Sequence, residues 1–213
     1  MNSTFLNIIY NCIPILFFHP DELYYPISYE IPYNLTHPVY ITTYTEFDKY
    51  YINYAMYYEY NNGKIFNIGG HTDDLEHITI ELDNSYSPNR IYYGRHTSKE
   101  GKWYIMDQIE RPWVYIALGS HGNYAKAGDH TYERYYGFGN DYTSDRGKVI
   151  DPTPVILDNI SISYYFRQKE WLYSNRENQE GLDTFGWNIL QFIQSIGSIM
   201  LFIVILHLLN YLK

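Results

Sequence analysis

The residues with the clearest capacity for chemistry lie in Gly69-Gly70-His71-Thr72-Asp73-Asp74-Leu75-Glu76-His77-Ile78-Thr79-Ile80-Glu81-Leu82. Read as a strand, this segment places alternate side chains on one face. Ile78, Ile80 and Leu82 mark the buried face, and Asp74 and Glu76 fall on it too. Two carboxylates spaced roughly 7 Å apart by strand rise would then begin the core side. Unpaired anions there are expensive, and a bound cation or protonation is the natural remedy. His71 stands three residues before Asp74 on a diglycine turn that can swing its imidazole to the same point. Carboxylates with one imidazole suit Mg²⁺, Mn²⁺ or Ca²⁺ better than a structural zinc. An exposed strand end with solvated acids is the competing reading. His77 falls on the opposite face, and Asp73 reads as a turn residue.

Two more histidines end strands. His96 follows Arg90–Arg95, and His121 follows Trp113–Leu118 in Gly119-Ser120-His121-Gly122. Strand ends on one rim of a sandwich meet in space, so His71, His96 and His121 can surround one cavity. His96 and His121 are the candidates for a general base on bound water, although each taken singly reads as structural. Asp141 and Asp151 are weaker candidates.

The elements that must hold these residues are strands. Val39–Tyr44, Tyr50–Tyr60, Leu75–Leu82, Arg90–Arg95, Trp103–Ile109, Trp113–Leu118 and Val155–Tyr165 are rich in β-branched and aromatic residues. Asn61-Asn62-Gly63 is a strong turn signal. The apolar stretch Phe5–Phe18 reads as a buried strand, and no useful helical period appears before residue 166. Seven or eight short strands predict an all-β fold, an antiparallel β-sandwich over residues 1–165. Ser120–Pro152 reads as a long ordered loop with little strand character.

Residues 166–184 read as a polar stalk and 185–213 as a transmembrane anchor. No charged residue occurs from Thr184 to Leu212, and about 20 apolar residues suffice to span a bilayer. Trp187 and Tyr211 bracket the run as interfacial aromatics. The expected arrangement is a single-pass tail anchor with a cytosolic main domain. The competing reading of this run is a buried core helix.

Composition excludes more than it selects. The 213 residues carry a formal charge of −9 and no basic cluster, which argues against nucleic acid. The single cysteine, Cys12, rules out an internal disulfide and reads as a core residue. The 27 tyrosines suit half-buried sheet surfaces.

Four ordered motifs carry a resemblance. Phe17-Phe18-His19-Pro20-Asp21-Glu22-Leu23-Tyr24-Tyr25-Pro26, the Gly69–Leu82 stretch, Ile116–Gly122 and Gly139-Asn140-Asp141 together resemble the vacuolar protein sorting-associated protein 62 family. The likeness spans roughly residues 13 to 172. The central motif is also similar to the signature of the necrosis- and ethylene-inducing-like proteins. That second resemblance implies a β-sandwich holding a divalent cation (Ca, Mg or Mn) through His71, Asp74 and Glu76. A further aspartate of that family corresponds to Asn61-Asn62-Gly63, so Asn62 is the implied fourth ligand, with an amide oxygen in place of a carboxylate. Leu75 stands where that family has tryptophan.

Three functions are compatible with these residues. The first is a membrane-anchored, cation-holding binding module with a lipid-headgroup, glycan or protein ligand at its loop rim. The namesake family links it to membrane trafficking. The second is a metal-dependent hydrolase, although no catalytic signature is strong enough to identify an enzyme. The third is a structural membrane or virion component.

Overall fold

The computed structural model describes residues 3–28, 35–62, 70–95, 101–130 and 140–157, with His71 described by its backbone alone. Two sheets share one apolar core. The larger runs in the order β12-β2-β3-β4-β5-β6, with β2 at Pro38–Glu46, β3 at Lys49–Asn61, β4 at His71–Leu82, β5 at Pro88–Tyr93, β6 at Lys102–Ile105 and β12 at Thr153–Ile156. The smaller runs β11-β1-β7-β8, with β1 at Ile15–Phe18, β7 at Trp113–Ile116, β8 at Asn123–Tyr124 and β11 at Val149–Ile150. A short ribbon pairs β9 (Gly128–His130) with β10 (Asp141–Thr143).

The long β3–β4 pairing organises the larger sheet. Ile52 opposes Ile80, Tyr54 opposes Ile78, Met56 opposes Glu76 and Tyr58 opposes Asp74. The inner row therefore runs from branched aliphatics at one end to carboxylates at the other. Leu16, Phe18, Val114 and Ile116 meet it from the smaller sheet, and all four are fully buried. Fully burying side chains of this size stabilises by about 1.5–3 kcal/mol each.

Four expectations change. The N-terminal apolar stretch is not one strand: Ser3–Asn11 forms a helix, α1, before β1 begins. Phe5, Ile8, Ile9 and Cys12 recur at helical spacing and are buried, while Asn7 and Asn11 fall on the other side. Tyr54 Oη donates to Ile9 O at 2.7 Å and pins the helix to the sheet. Pro14 ends it. The sandwich is also not wholly antiparallel, because β1–β7 and β2–β12 run parallel. Hydrophobic alternation carries no information about strand direction. Ser120–Pro152 contains four short strands, β8 to β11, rather than a loop alone. His77 is 3% exposed despite its outer-face parity, with its ring tilted against Tyr92.

Cys12 is fully buried and free, as expected of a core thiol, and burial pushes its pKa up to about 12. Among the described residues no helix is long and apolar enough to cross a membrane. The stalk at 166–184, the anchor at 185–213 and residues 158–165 of the expected strand Val155–Tyr165 lie outside the described residues.

Candidate functional site

One end of the sandwich gathers four ionisable side chains from three parts of the chain. Asp74 and Glu76 open the inner face of β4 and are 5% and 8% exposed. Glu22 comes from the segment after β1, and His121 from the turn after β7. Both are buried, His121 completely.

His121 is held by backbone geometry as well as by contacts. Gly119 and His121 both take positive φ, 72° and 54°. A Cβ at Gly119 would lie 2.6 Å from the Asn62 carbonyl oxygen, so only glycine fits. The end of β3 grips this turn: Asn62 N donates to Gly119 O at 2.8 Å, and Asn61 Nδ2 to Ser120 O at 3.3 Å. Asp141 braces the other side. Its carboxylate accepts from Ser120 Oγ at 2.7 Å and Tyr124 Oη at 2.6 Å.

The imidazole then lies between two carboxylates. Nδ1 is 2.8 Å from Asp74 Oδ2, and Nε2 is 3.5 Å from Glu22 Oε1. The second distance is an ion-pair contact rather than a well-formed hydrogen bond. Tyr58 stacks flat on the ring, with centroids 3.9 Å apart and planes 2° from parallel. Burial alone would depress the imidazole pKa, but Asp74 and Glu22 outweigh it and lift it to about 9. The two carboxylates thus favour the protonated ring. Burial works against the Glu22 carboxylate too, yet His121 and the N–H groups of Gly119 and Tyr24 hold its pKa below the ordinary value.

Glu22, Asp74 and Glu76 bring three buried carboxyl groups to this end of the sandwich. A hard divalent cation fits this oxygen-rich donor set. Buried oxygens without a hydrogen bond, Tyr58 Oη and Asn123 Oδ1, come from side chains that touch the same cluster. Among the described residues no three His, Cys, Asp or Glu side chains converge as a ready-made cage. The fit is thus one of donor type.

The sequence-derived candidates are distributed as follows. Asp74, Glu76 and His121 come together. Asn62 lies at the same rim with an exposed side chain. The His71 side chain and all of His96 lie outside the described residues. Asp73 sits inside β4 with φ 61°, exposed, and accepts from Tyr57 Oη at 2.6 Å. Its left-handed backbone interrupts the alternation between His71 and Asp74. Asp141 is fully buried beside the His121 turn, whereas Asp151 pairs with Arg111 on the surface.

Glu22, Tyr58 and Asn123 carry no role in the sequence reading. Glu22 alone had a signal, being part of the motif that starts at Phe17. Nothing in the local sequence marks the other two.

No protein-family model and no curated protein matches the chain. Solved structures similar to it are necrosis- and ethylene-inducing proteins. Necrosis and Ethylene inducing Protein 2 from the causal agent of cocoa's witches' broom disease has a TM-score of 0.43 at 14% identity, over 70% of this chain and 72% of that one. The non-toxic HaNLP3 protein has a TM-score of 0.46 at 11% identity, over 75% and 79%. NLPPya in complex with glucosamine has 0.47 at 15%, over 75% and 78%. None of these comparisons supports the vacuolar protein sorting-associated protein 62 resemblance.

Proposed function

We propose that this protein is a binding module that holds a divalent cation at the rim of its β-sandwich. The carrying observation is the burial of Asp74 and Glu76 on the inner face of β4, with Glu22 and Asp74 on either side of the His121 ring. Asp74 and Glu76 are the cation's carboxylate ligands, with His71 and Asn62 as the flanking donors. The bound cation supplies charge compensation and a point of attachment for oxygen-rich ligands such as a glycan or a lipid headgroup. The apolar run in 185–213 anchors the module in a bilayer.

The hydrolase reading is weaker at His121. A general base needs a free lone pair, and this ring has a carboxylate against each nitrogen, which favours its protonated form, and is stacked on Tyr58.

The test uses the full chain purified in detergent, beside an Asp74→Ala/Glu76→Ala variant. Metals are counted by mass spectrometry. Stoichiometric Ca, Mg or Mn in the first and none in the second is the expected result. A wild-type protein that holds none after metal-replete purification ends the cation reading. Alkaline carbonate extraction of membranes tests the anchor, which predicts retention of the full chain in the pellet.

A further inference from the structure

We infer that the β2–β3 hairpin seats Phe47 in the surface of the anchoring bilayer and turns the Glu22–Asp74 rim away from it, resting on the anchor reading above. Glu46 pairs with Lys49, so Phe47 and Asp48 form a two-residue turn, with φ of 47° and 58°. Two successive left-handed residues mark a type I′ hairpin, which Asn, Asp and Gly accommodate most readily. A bulky aromatic at its first position is an outlier. Phe47 is also 87% exposed, so its ring gains little from packing. For the fold alone, Asn or Gly would serve better here.

The tip lies at the end of the sandwich opposite the charged cluster. β3 begins at Lys49 and reaches Tyr58, the partner of Asp74, nine residues later, roughly 30 Å of strand rise. Ile105, 90% exposed, shares the remote end, in the cross-sheet row Tyr51–Glu81–Arg90–Ile105. The chain also leaves the described domain in this direction. β12 runs parallel to β2, toward the tip, and Leu157 N still donates to Ile41 O at 2.9 Å. Phe47 lies six residues beyond Ile41, about 20 Å further along. The 27 residues from 158 to 184 extend to about 95 Å at most, so the apolar run can enter a bilayer directly below the tip. Charge selects the kind of surface. Asp48 and Asp107 are exposed at this end, whereas Lys49 and Arg90 are paired with Glu81. An acidic tip with an apolar point fits a neutral phosphatidylcholine surface rather than an anionic one, and an aromatic ring suits the boundary between headgroups and acyl chains. An oxygen-rich ligand then reaches the Glu22–Asp74 rim from solution or from an opposing surface.

The full chain is reconstituted into phosphatidylcholine vesicles with an environment-sensitive fluorophore on Asp48→Cys or on Leu23→Cys. Leu23, 74% exposed beside Glu22, reports the opposite end, and Cys12 is fully buried and stays unlabelled. Flotation comes first: a chain that does not float with the vesicles removes the anchor reading itself, a separate result from those that follow. Nitroxide-bearing lipid is expected to quench the probe at 48, and iodide on both sides of the bilayer the probe at 23. Phe47→Asn suits the left-handed turn and so preserves the fold. It should abolish lipid quenching at 48 while leaving the urea midpoint equal or higher. Lipid quenching at 23 instead of 48, iodide quenching at both, or lipid quenching at 48 that survives Phe47→Asn overturns the inference. Adding phosphatidylserine should weaken the quenching at 48. Stronger quenching would mean that charge rather than the ring seats the tip, and overturns it as well.

Discussion

His121 Nδ1 and Asp74 Oδ2 are 2.8 Å apart although 47 residues separate them, and both side chains are buried. The pair joins the turn after β7 to the first buried position of β4, so it links the two sheets at the candidate site. Removing one member of a buried pair strands the other charge. His121→Ala is therefore expected to destabilise the fold by about 3 kcal/mol, read from urea denaturation in chelator. An effect near zero would mean that the pair is not buried in solution.

Tyr58 makes a different demand. Its ring stacks on His121 while its hydroxyl, fully buried, has no hydrogen-bond partner among the described residues. Tyr58→Phe keeps the stack and removes an unsatisfied polar group, which should raise chelated-state stability by about 1 kcal/mol. Tyr58→Ala removes the ring and should cost about 3–5 kcal/mol. Opposite signs for the two variants in the same denaturation series are the expected signature.

Gly119→Ala tests the turn that presents His121. The alanine must adopt φ near 72° and its Cβ would meet Asn62 O at 2.6 Å. A loss of about 1–3 kcal/mol is expected, with weaker cation binding because Ser120 and His121 must shift. Unchanged stability would show that the turn can relax without cost.

The pH dependence should be dominated on the acid side by Glu81. Its side chain is fully buried and binds Lys49, Arg90, Asn89 and Tyr51. Burial alone would raise its pKa, but Arg90, Lys49 and Asn89 lower it from 4.5 to about 2. A depressed folded-state pKa contributes stability that is complete above the unfolded value and lost as pH falls through the folded one. Stability should accordingly fall between pH 4.5 and about 2, and Glu81→Gln should flatten that slope. Parallel slopes in wild type and variant would exclude Glu81 as the source.

Much of the sheet was legible in the chain itself. The alternation Ile78-Ile80-Leu82 carries Asp74 and Glu76 onto the inner face, and the structure buries all five. The end of β7 at the His121 turn was equally readable, because Gly119 and Gly122 punctuate an apolar run. Helix α1 was readable in principle, since Phe5, Ile8, Ile9 and Cys12 share a helical face, but a short apolar run supports either period.

The sequence by itself determined the long strands β2 to β5, the inner face of β4 and that two carboxylates would end up on it. Those are consequences of side-chain period and apolar burial, which act locally. Tertiary structure alone decided what answers those carboxylates. Tyr58 meets Asp74 across the antiparallel β3–β4 pair, whereas Glu22, His121 and Asn123 come from segments around the parallel β1–β7 pair of the other sheet. The partners of β1 and β7 are set by packing between distant segments rather than by any local spacing. A buried charge is compensated by whatever the fold brings within a few ångströms, and that distance is not written along the chain.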